Sequence, residues 1–351
     1  MYKFIAKKIA YGILVLIGVI VVVFLLFNVL PGDPARLTLG QRADVASIEA
    51  VNKELGLDKP LPVQFFMYVN DLLPISIHDD TPENEEKYGY TSLFNIGKEV
   101  IVFKAPYLRR SYQTRKNVTE IIAEALPGTA ILALSAIIFA SILGIFLGVM
   151  AAINKGSLID HATLVFTALG TAVPSFFSSI IFSFLFGYVL SEYTGLEMTG
   201  SLYETDAIDG EYLALQNLIL PMISLGIRPL AIIVQLTRSS MLDILSQDYI
   251  RTARAKGLAR NIVLFKHALR NALNPVFTAI SGWFAGMLAG AFFVELIFNW
   301  KGLGLATVNA LMSSDFPIVM GGVLVIATVF VVINVLVDIT YGILDPRVSL
   351  K

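Results

Sequence analysis

Residues 248–260 read Asp248-Tyr-Ile-Arg-Thr-Ala-Arg-Ala-Lys-Gly-Leu-Ala-Arg260, and His267-Ala-Leu-Arg-Asn-Ala272 follows close behind. This basic, helix-patterned run lies between two long apolar segments, so it cannot sit in hydrocarbon and must project from one side of a membrane. The chemistry it offers is binding. Its target is either a soluble partner or, as an interfacial amphipathic helix, anionic lipid. Ser246 or Asp248 can cap a short helix, with Arg251, Arg254 and Lys256 on its wet side. Ile250, Ala253 and Leu258 are then available for docking, and Gly257 is placed as the C-terminal stop. A second run, Ile262, Phe265, Leu269 and Leu273, keeps helical spacing into the next apolar segment.

Other reactive side chains are sparse. Arg228 falls mid-way along an apolar segment beside Pro229, where an arginine costs about 2.5–3.5 kcal/mol to insert. It should therefore face the protein interior, a wet cavity or a partner. Glu295 is its nearest candidate partner, as a structural ion pair or as part of a pathway; Asp338 is farther along the chain. His78, Asp79 and Asp80 are adjacent in an acidic run that reads as a solvated loop rather than a metal site, so no metal ligands are assigned. The sequence has no G-x-x-x-x-G-K-[ST], H-E-x-x-H or G-x-S-x-G motif and no cysteine. No nucleophile stands with a base. Catalytic residues are therefore expected to be none, and any ATP chemistry belongs to another polypeptide.

The elements that hold these residues are membrane helices. Of 351 residues, 56% are hydrophobic and 15% charged, against about 25% charged in soluble domains; the mean hydropathy is +0.73. About 20 apolar residues cross a bilayer. Six segments qualify: Ile9–Leu30, Gly128–Ile153, Ala162–Leu190, Leu215–Leu236, Val276–Phe298 and Pro317–Leu344. The first carries Lys3, Lys7 and Lys8 on its flank, but its apolar run is too long for a signal peptide, so it reads as a retained anchor. The basic residues of the short loops, Lys155, Arg238, Arg251, Arg254, Lys256, Arg260, Lys266 and Arg270, share the side of both termini. The third-to-fourth loop carries only acidic charge. The positive-inside rule then places both termini and the basic run in the cytoplasm.

The expected fold is an all-α polytopic membrane protein with six transmembrane helices and a small extracytoplasmic domain between the first and second. By residue number, the expected divisions are an anchor at 1–30, an extracytoplasmic domain at 31–117, a five-helix core at 118–345 with its loop at about 238–275, and a tail at 346–351. In the outer domain, Val45, Ile48, Val51, Leu55 and Leu57 suggest one helix. Val63–Val69 to Leu73 suggests another, and Val100–Phe103 leans to strand. Small residues recur every fourth position at Ala140, Gly144, Gly148 and Ala152, and at Gly282, Gly286 and Gly290; such stripes serve helix packing, within the subunit or against another. Pro174 and Pro221 are expected to bend the third and fourth spans.

Tyr249-Ile-Arg-Thr-Ala-Arg-Ala-Lys-Gly257 with His267-Ala-Leu-Arg-Asn-Ala-Leu-Asn-Pro275 resembles the cytoplasmic loop of ABC-importer permeases of the dipeptide/oligopeptide/nickel class. Leu30-Pro-Gly-Asp-Pro34, Leu55-Gly-Leu-Asp-Lys-Pro60, Val118-Thr-Glu-Ile-Ile122 with Leu126-Pro127, Val294-Glu-Leu-Ile-Phe-Asn-Trp-Lys-Gly-Leu-Gly304 and Asp345-Pro-Arg347 extend the resemblance over nearly the whole chain. The generic importer loop begins Glu-Ala-Ala; here Arg251, Thr252 and Ala253 stand there, with Gly257 four positions on, which suits the peptide-class variant. Arg228 and Lys301 look atypical, and Pro74–Leu108 looks like an insertion (about 74–108) in the outer domain.

The resemblance implies the type I ABC importer permease fold, with Asp248, Tyr249, Arg251, Thr252, Ala253, Arg254, Ala255, Lys256 and Gly257 forming the ATPase-coupling loop. It implies a second homologous permease subunit in a heterodimer, two cytoplasmic ABC ATPase subunits and an extracytoplasmic solute-binding protein, in the lipid bilayer of the cell inner membrane. No nucleic acid is implied. No cofactor is bound by this chain, and ATP is used by the partner subunits. The expected function is half of a translocation pathway for di- or oligopeptides. Alternatives are a permease for nickel, other metal chelates or glycans, a stand-alone secondary carrier or channel, and a membrane-anchored receptor sensing through Pro31–Asn117.

Overall fold

The computed structural model describes residues 2–29, 58–206 and 210–344. The expected helix over Val45–Leu57 and the motifs at Leu30–Pro34 and Asp345–Arg347 fall outside them. Helix α1 spans Tyr2–Val29. There follow α2 (Leu61–Leu72), β1 (Ile75–Asp79), α3 (Pro82–Tyr88), β2 (Thr91–Ile96) and β3 (Glu99–Phe103). Helix α4 (Val118–Ile153) leads to α5 (Leu158–Ala172) and α6 (Ser175–Phe184), which runs into a π-helical turn at Leu185–Val189. A hairpin, β4 (Tyr203–Asp206) and β5 (Gly210–Leu213), precedes α7 (Ile219–Leu245) and α8 (Asp248–Ala255). A π-helical stretch, Ile262–Leu269, feeds α9 (Arg270–Gly290); α10 (Phe292–Phe298), α11 (Leu303–Met312) and α12 (Phe316–Leu344) complete the described chain.

Among the described residues, four helical stretches are long and apolar enough to cross a membrane: Ile5–Phe27, Val118–Ile153, Leu215–Leu245 and Phe316–Ile339. Counting each of two bent pairs as one span raises the number to six. The first pair turns by 107° between α5 and α6, where Val173 is extended and Pro174 starts the new helix. A residue before proline is driven out of the α region, and this one carries the corner. The expected bend at Pro221 does not form, because Pro221 occupies the first turn of α7, where its missing N–H has no helical partner to lose. The prolines inside helices are instead Pro127, Pro229 and Pro275. Among the described residues there are two small antiparallel sheets, and the expected strand at Val100–Phe103 lies in the first as part of β3.

The described residues fall into two compact units. The larger one takes in Leu126–Leu305 and parts of the first and last helices. Its core joins Leu132, Ala136 and Ala140 of α4 to Leu230, Ile233 and Val234 of α7, with Val276 and Leu288 of α9, Phe298 and Trp300. Two glycines on α4 let α7 approach. A Cβ at Gly148 would lie 2.6 Å from the Thr237 Cβ and 2.8 Å from the Val234 carbonyl, and one at Gly144 would lie 2.7 Å from Ile233. Gly282 and Gly286 differ, because a Cβ on either meets nothing within 4 Å. The surroundings of Gly290 lie outside the described side chains.

The smaller unit holds Ile13–Ala125 with Ala306–Thr328. Helix α2 packs Phe65 and Tyr68 against Phe24 of α1, with ring centroids at 5.1 and 5.8 Å. Met320 and Leu324 of α12 close the same cluster. The run read as a solvated acidic loop is ordered structure. Thr81 caps α3, Pro82 opens it and Gly89 (φ 57°) ends it. His78 lies in β1, buried, sharing a 3.0 Å hydrogen bond with the Ser76 hydroxyl and stacking on Tyr88 at 4.1 Å. Beside it Asp71 accepts from the Tyr88 hydroxyl (3.0 Å) and Arg109 Nε (3.3 Å), while its carbonyl accepts from Lys104 Nζ (2.5 Å). Alternating pattern alone does not show this, because the cover over His78 and Val100 comes from residues distant in sequence.

At the far end of this unit, buried Asp315 ties a loop to the start of α12. Its carboxylate accepts from the Ser111 hydroxyl (2.5 Å) and from the amides of Tyr112 (3.0 Å) and Gln113 (3.4 Å). That loop is the last stretch before α4, so the described part of the segment between α1 and α4 is anchored near both of its ends.

Two outcomes are expected. Gly148→Leu should overpack the α4–α7 contact and cost roughly 1–3 kcal/mol, lowering the melting temperature in detergent, whereas Gly282→Leu in the isolated chain should not. His78 is held below its ordinary pKa of about 6.5, first by burial and then by Lys104. The unfolded chain therefore binds the extra proton first. Stability should fall as pH drops from 6.5 through the depressed folded value, and above 6.5 the term vanishes. His78→Gln should flatten that acid limb in thermal melts taken across pH.

Candidate functional site

Helix α8 begins at Asp248 after Gln247, and neither Ser246 nor Asp248 caps it as expected. The Ser246 hydroxyl instead donates back to the Asp243 carbonyl at 2.7 Å, and Asp248 occupies the first turn, where its charge suits the helix dipole. Arg251 reaches Asp248 at 3.3 Å, an exposed pair. The helix ends as its sequence indicates. Gly257 takes φ +75°, its amide bonds the Arg254 carbonyl (3.0 Å), and Leu258 N–H reaches back to Ala253 O (3.3 Å).

Spacing decides which face is seated. Ile250 and Ala253, three apart, are buried on Val149 and Ala152 of α4, Met241 of α7, Val263, Leu264 and Ala268 of the π-helical stretch, and Ala272 of α9. Leu258, expected to dock, stays exposed. Tyr249 is held at the edge by Asn271 Nδ2, 3.0 Å from its hydroxyl. Arg251, Thr252, Arg254, Ala255 and Lys256 face outward. Arg254 and Arg260 rim a cavity of about 440 Å³ floored by Ala152, Leu245, Val263 and Leu264. The result is a short helix fixed on an apolar seat with a cationic outer surface. The second run is also displaced: Ile262 and Phe265 are exposed while Val263, Leu264 and Ala268 are buried, because the wider π-helical winding shifts the buried face away from the 3.6-residue rhythm.

One ion pair beside this seat escaped the sequence reading. Arg238 of α7 grips Asp160 at the start of α5 through two bonds, Nε to Oδ1 at 2.5 Å and a terminal nitrogen to Oδ2 at 2.8 Å. Gly156 N–H adds a third at 2.9 Å, and the Ser157 hydroxyl caps α5 by accepting from the Asp160 amide. The Asp160 side chain is only 3% exposed. The available signal was Ser157-x-x-Asp160, a capping pattern at a helix start, with Arg238 in a loop assigned to the same side.

Glu295 and Arg228 do not pair, which corrects the ion pair considered for them. Glu295 is fully buried. One of its oxygens accepts from the Thr129 hydroxyl (2.7 Å) and the other from the Leu305 amide (2.9 Å). Arg228 is exposed on the chain, with its guanidinium 5.8 Å from the centre of the Trp283 ring. Around Glu295 the turn is crowded. A Cβ on Gly302 would meet the carboxyl at 2.4 Å, and one on Gly304 would meet it at 2.8 Å. Asn299 takes φ 52°, Trp300 Nε1 donates to the Gly128 carbonyl (2.9 Å), and Leu303 N–H bonds the Thr129 hydroxyl oxygen (2.8 Å).

Comparison with known proteins agrees with this architecture. The family model for the binding-protein-dependent transport system inner membrane component matches residues 144–350, and its N-terminal companion matches residues 1–133. The chain belongs to this family. It is 35% identical to the di/tripeptide transport system permease protein DppB of Pseudomonas aeruginosa, covering 99% of both chains. It is 36% identical to the dipeptide transport system permease protein DppB of Escherichia coli K12 over the whole of each. An inward-facing MetNI methionine ABC transporter structure matches 65% of this chain and 98% of its own, with 15% identity and a TM-score of 0.50, a likeness of fold alone. Family membership and the apolar helices place the chain in the inner membrane as a multi-pass protein.

Removing one partner from a part-buried, hydrogen-bonded pair leaves the other charge without its counter-ion. Arg238→Ala should cost about 1–3 kcal/mol, read as a lower melting temperature of the purified chain. Adding Asp160→Asn to it should restore part of the loss, and a strictly additive double variant would show that the two do not interact.

Proposed function

We propose that this chain is one of two permease subunits of an ATP-driven importer for di- or oligopeptides. It forms half of the translocation pathway and receives its cargo from an extracytoplasmic solute-binding protein. The observation that carries the substrate class is full-length identity of 35–36% to dipeptide and di/tripeptide permeases. The placement of basic residues supports both termini, and α8 with them, on the cytoplasmic side. The anchor at 1–30, the outer domain at 31–117, the core at 118–345 and the tail at 346–351 remain our division of the chain.

Helix α8 is the contact for the cytoplasmic ATPases. Its outward residues, Tyr249, Arg251, Thr252, Arg254, Ala255 and Lys256, present cations and a hydroxyl to a partner surface. Its inner face rests on three membrane helices and the π-helical stretch, so a push on α8 is passed to the helix bundle as a rigid-body shift. ATP is bound and cleaved by the partners, and this chain contributes no residue to that chemistry.

Two features of α7 and α9 suit the second permease. Arg228 is exposed at mid-span over Trp283, where lipid would charge it about 2.5–3.5 kcal/mol, and a hydrated pathway or a partner relieves that cost. Gly282 and Gly286, beside Trp283 in sequence, leave α9 open to a close helix.

Gly257→Val should uncouple the importer, because a β-branched residue is strained at φ +75° and the turn that ends α8 would shift. In proteoliposomes holding the whole importer, labelled dipeptide uptake should fall at least about tenfold while ATP hydrolysis continues; each tenfold is about 1.4 kcal/mol of coupling. Undiminished uptake with the variant correctly inserted would remove α8 from the coupling role.

A further inference from the structure

Helix α2 presents two apolar stripes. Phe65, Tyr68 and Leu72 face the α1–α12 cluster. About 150° around the helix, Val63 and Phe66 form a second stripe, which Leu73 continues in extended conformation just past the helix end. Phe66 is 70% exposed, and Val63 and Leu73 are also exposed. These three line a shallow, mostly apolar groove with Met67, Val69 and Asn70. The stripe continues into Ile75 of β1, also exposed. The one charged residue of α2, Asp71, is turned away from it into the Tyr88–Arg109 cluster.

The depth of this stripe can be measured against two membrane helices. Hydrocarbon about 30 Å thick takes about 20 residues at 1.5 Å each, which from Ile9 reaches Asn28. Phe24, the residue on which α2 is stacked, lies about 6 Å inside that limit. From the other side, α12 begins at Phe316, so Met320 and Leu324, in the same cluster, lie about 6 and 12 Å inside its end. The first measure puts α2 at the level of the acyl chains, and the second is consistent with it, since the contacts of α2 on α12 lie one to two turns inside that helix. The neighbouring surface of α1, with Val22, Leu25 and Leu26 exposed, is continuous with it in apolar character.

We propose that the Val63–Phe66–Leu73 face of α2 is embedded in the acyl region of the leaflet opposite the termini, as an interfacial helix. This rests on the six-span reading above. The outer segment is then held to the membrane at its entry by lipid as well as by the stacking on Phe24.

The chain contains no cysteine, so single cysteines can be spin-labelled without background. The full chain carrying Phe66→Cys or Val63→Cys would be labelled with a nitroxide in phosphatidylethanolamine–phosphatidylglycerol liposomes, alone and with the other importer subunits. Leu14→Cys in α1 is the membrane reference, and Glu83→Cys in α3 the aqueous one. Oxygen should relax labels at 63 and 66 several-fold more than a water-soluble nickel chelate does, as at 14, and the ratio should invert at 83. A label at 66 that behaves like 83 while 14 stays lipidic overturns the proposal and leaves the six spans intact; an aqueous signal at 14 overturns the span reading itself. Shielding of 66 from both reagents in the complete importer identifies a protein neighbour and equally overturns it.

Discussion

The carboxyl of Glu295 holds the larger unit together at one end. A carboxylate taken wholly out of water is costly unless its oxygens are hydrogen-bonded, and here the chain folds donors onto them. The Thr129 hydroxyl comes from α4 and the Leu305 amide from the start of α11. To bring that amide round, the ten residues after Glu295 must wrap tightly against it, and Gly302 and Gly304 supply the room. The Trp300 side chain then reaches Gly128. A sequence that resembled a late motif of importer permeases is thus a turn wound on its own first acid. Thr129 is both donor to Glu295 and acceptor from Leu303, so the α4 end of the contact is also saturated.

The opposite end of the same unit depends on apolar burial. Ile250 and Ala253 plug α8 into residues from α4, α7, the π-helical stretch and α9. Arg238 and Asp160 fix the adjacent ends of α7 and α5. Two different kinds of contact therefore bound the bundle: a satisfied acid where the chain turns back between spans, and a packed seat with a flanking ion pair where the basic helix docks.

Much of this was legible because long apolar runs and helix stops are local signals. The four straight apolar helices and the two bent pairs that bring the count to six, the stop at Gly257 and the seat at Ile250 and Ala253 follow from period and turn chemistry within a few residues. Other features were hidden because they depend on partners far along the chain. Asp160 and Arg238 are 78 positions apart. Glu295 looked like a counter-ion for Arg228 because both were rare charges among apolar residues, but amides and a hydroxyl satisfied the acid first. His78 was read as solvated because its neighbours are acidic, whereas the strand pairing that buries it involves Val100 across the sheet. The bend at Pro174 forms because that proline sits between two helices and holds Val173 extended, whereas Pro221 lies in the first turn of a single helix.

The π-helical stretch at Ile262–Leu269 carries a consequence for how such chains change over time. Each residue lost from or added to a helix turns everything beyond it by about 100°. Removing one residue while keeping the wide turns would swing Ala272 and Val276, both buried, away from their contacts, whereas removing it and returning to 3.6-residue winding would largely cancel the rotation. Length and winding in this stretch are therefore coupled: a one-residue change is tolerated only together with a change between wide and ordinary turns.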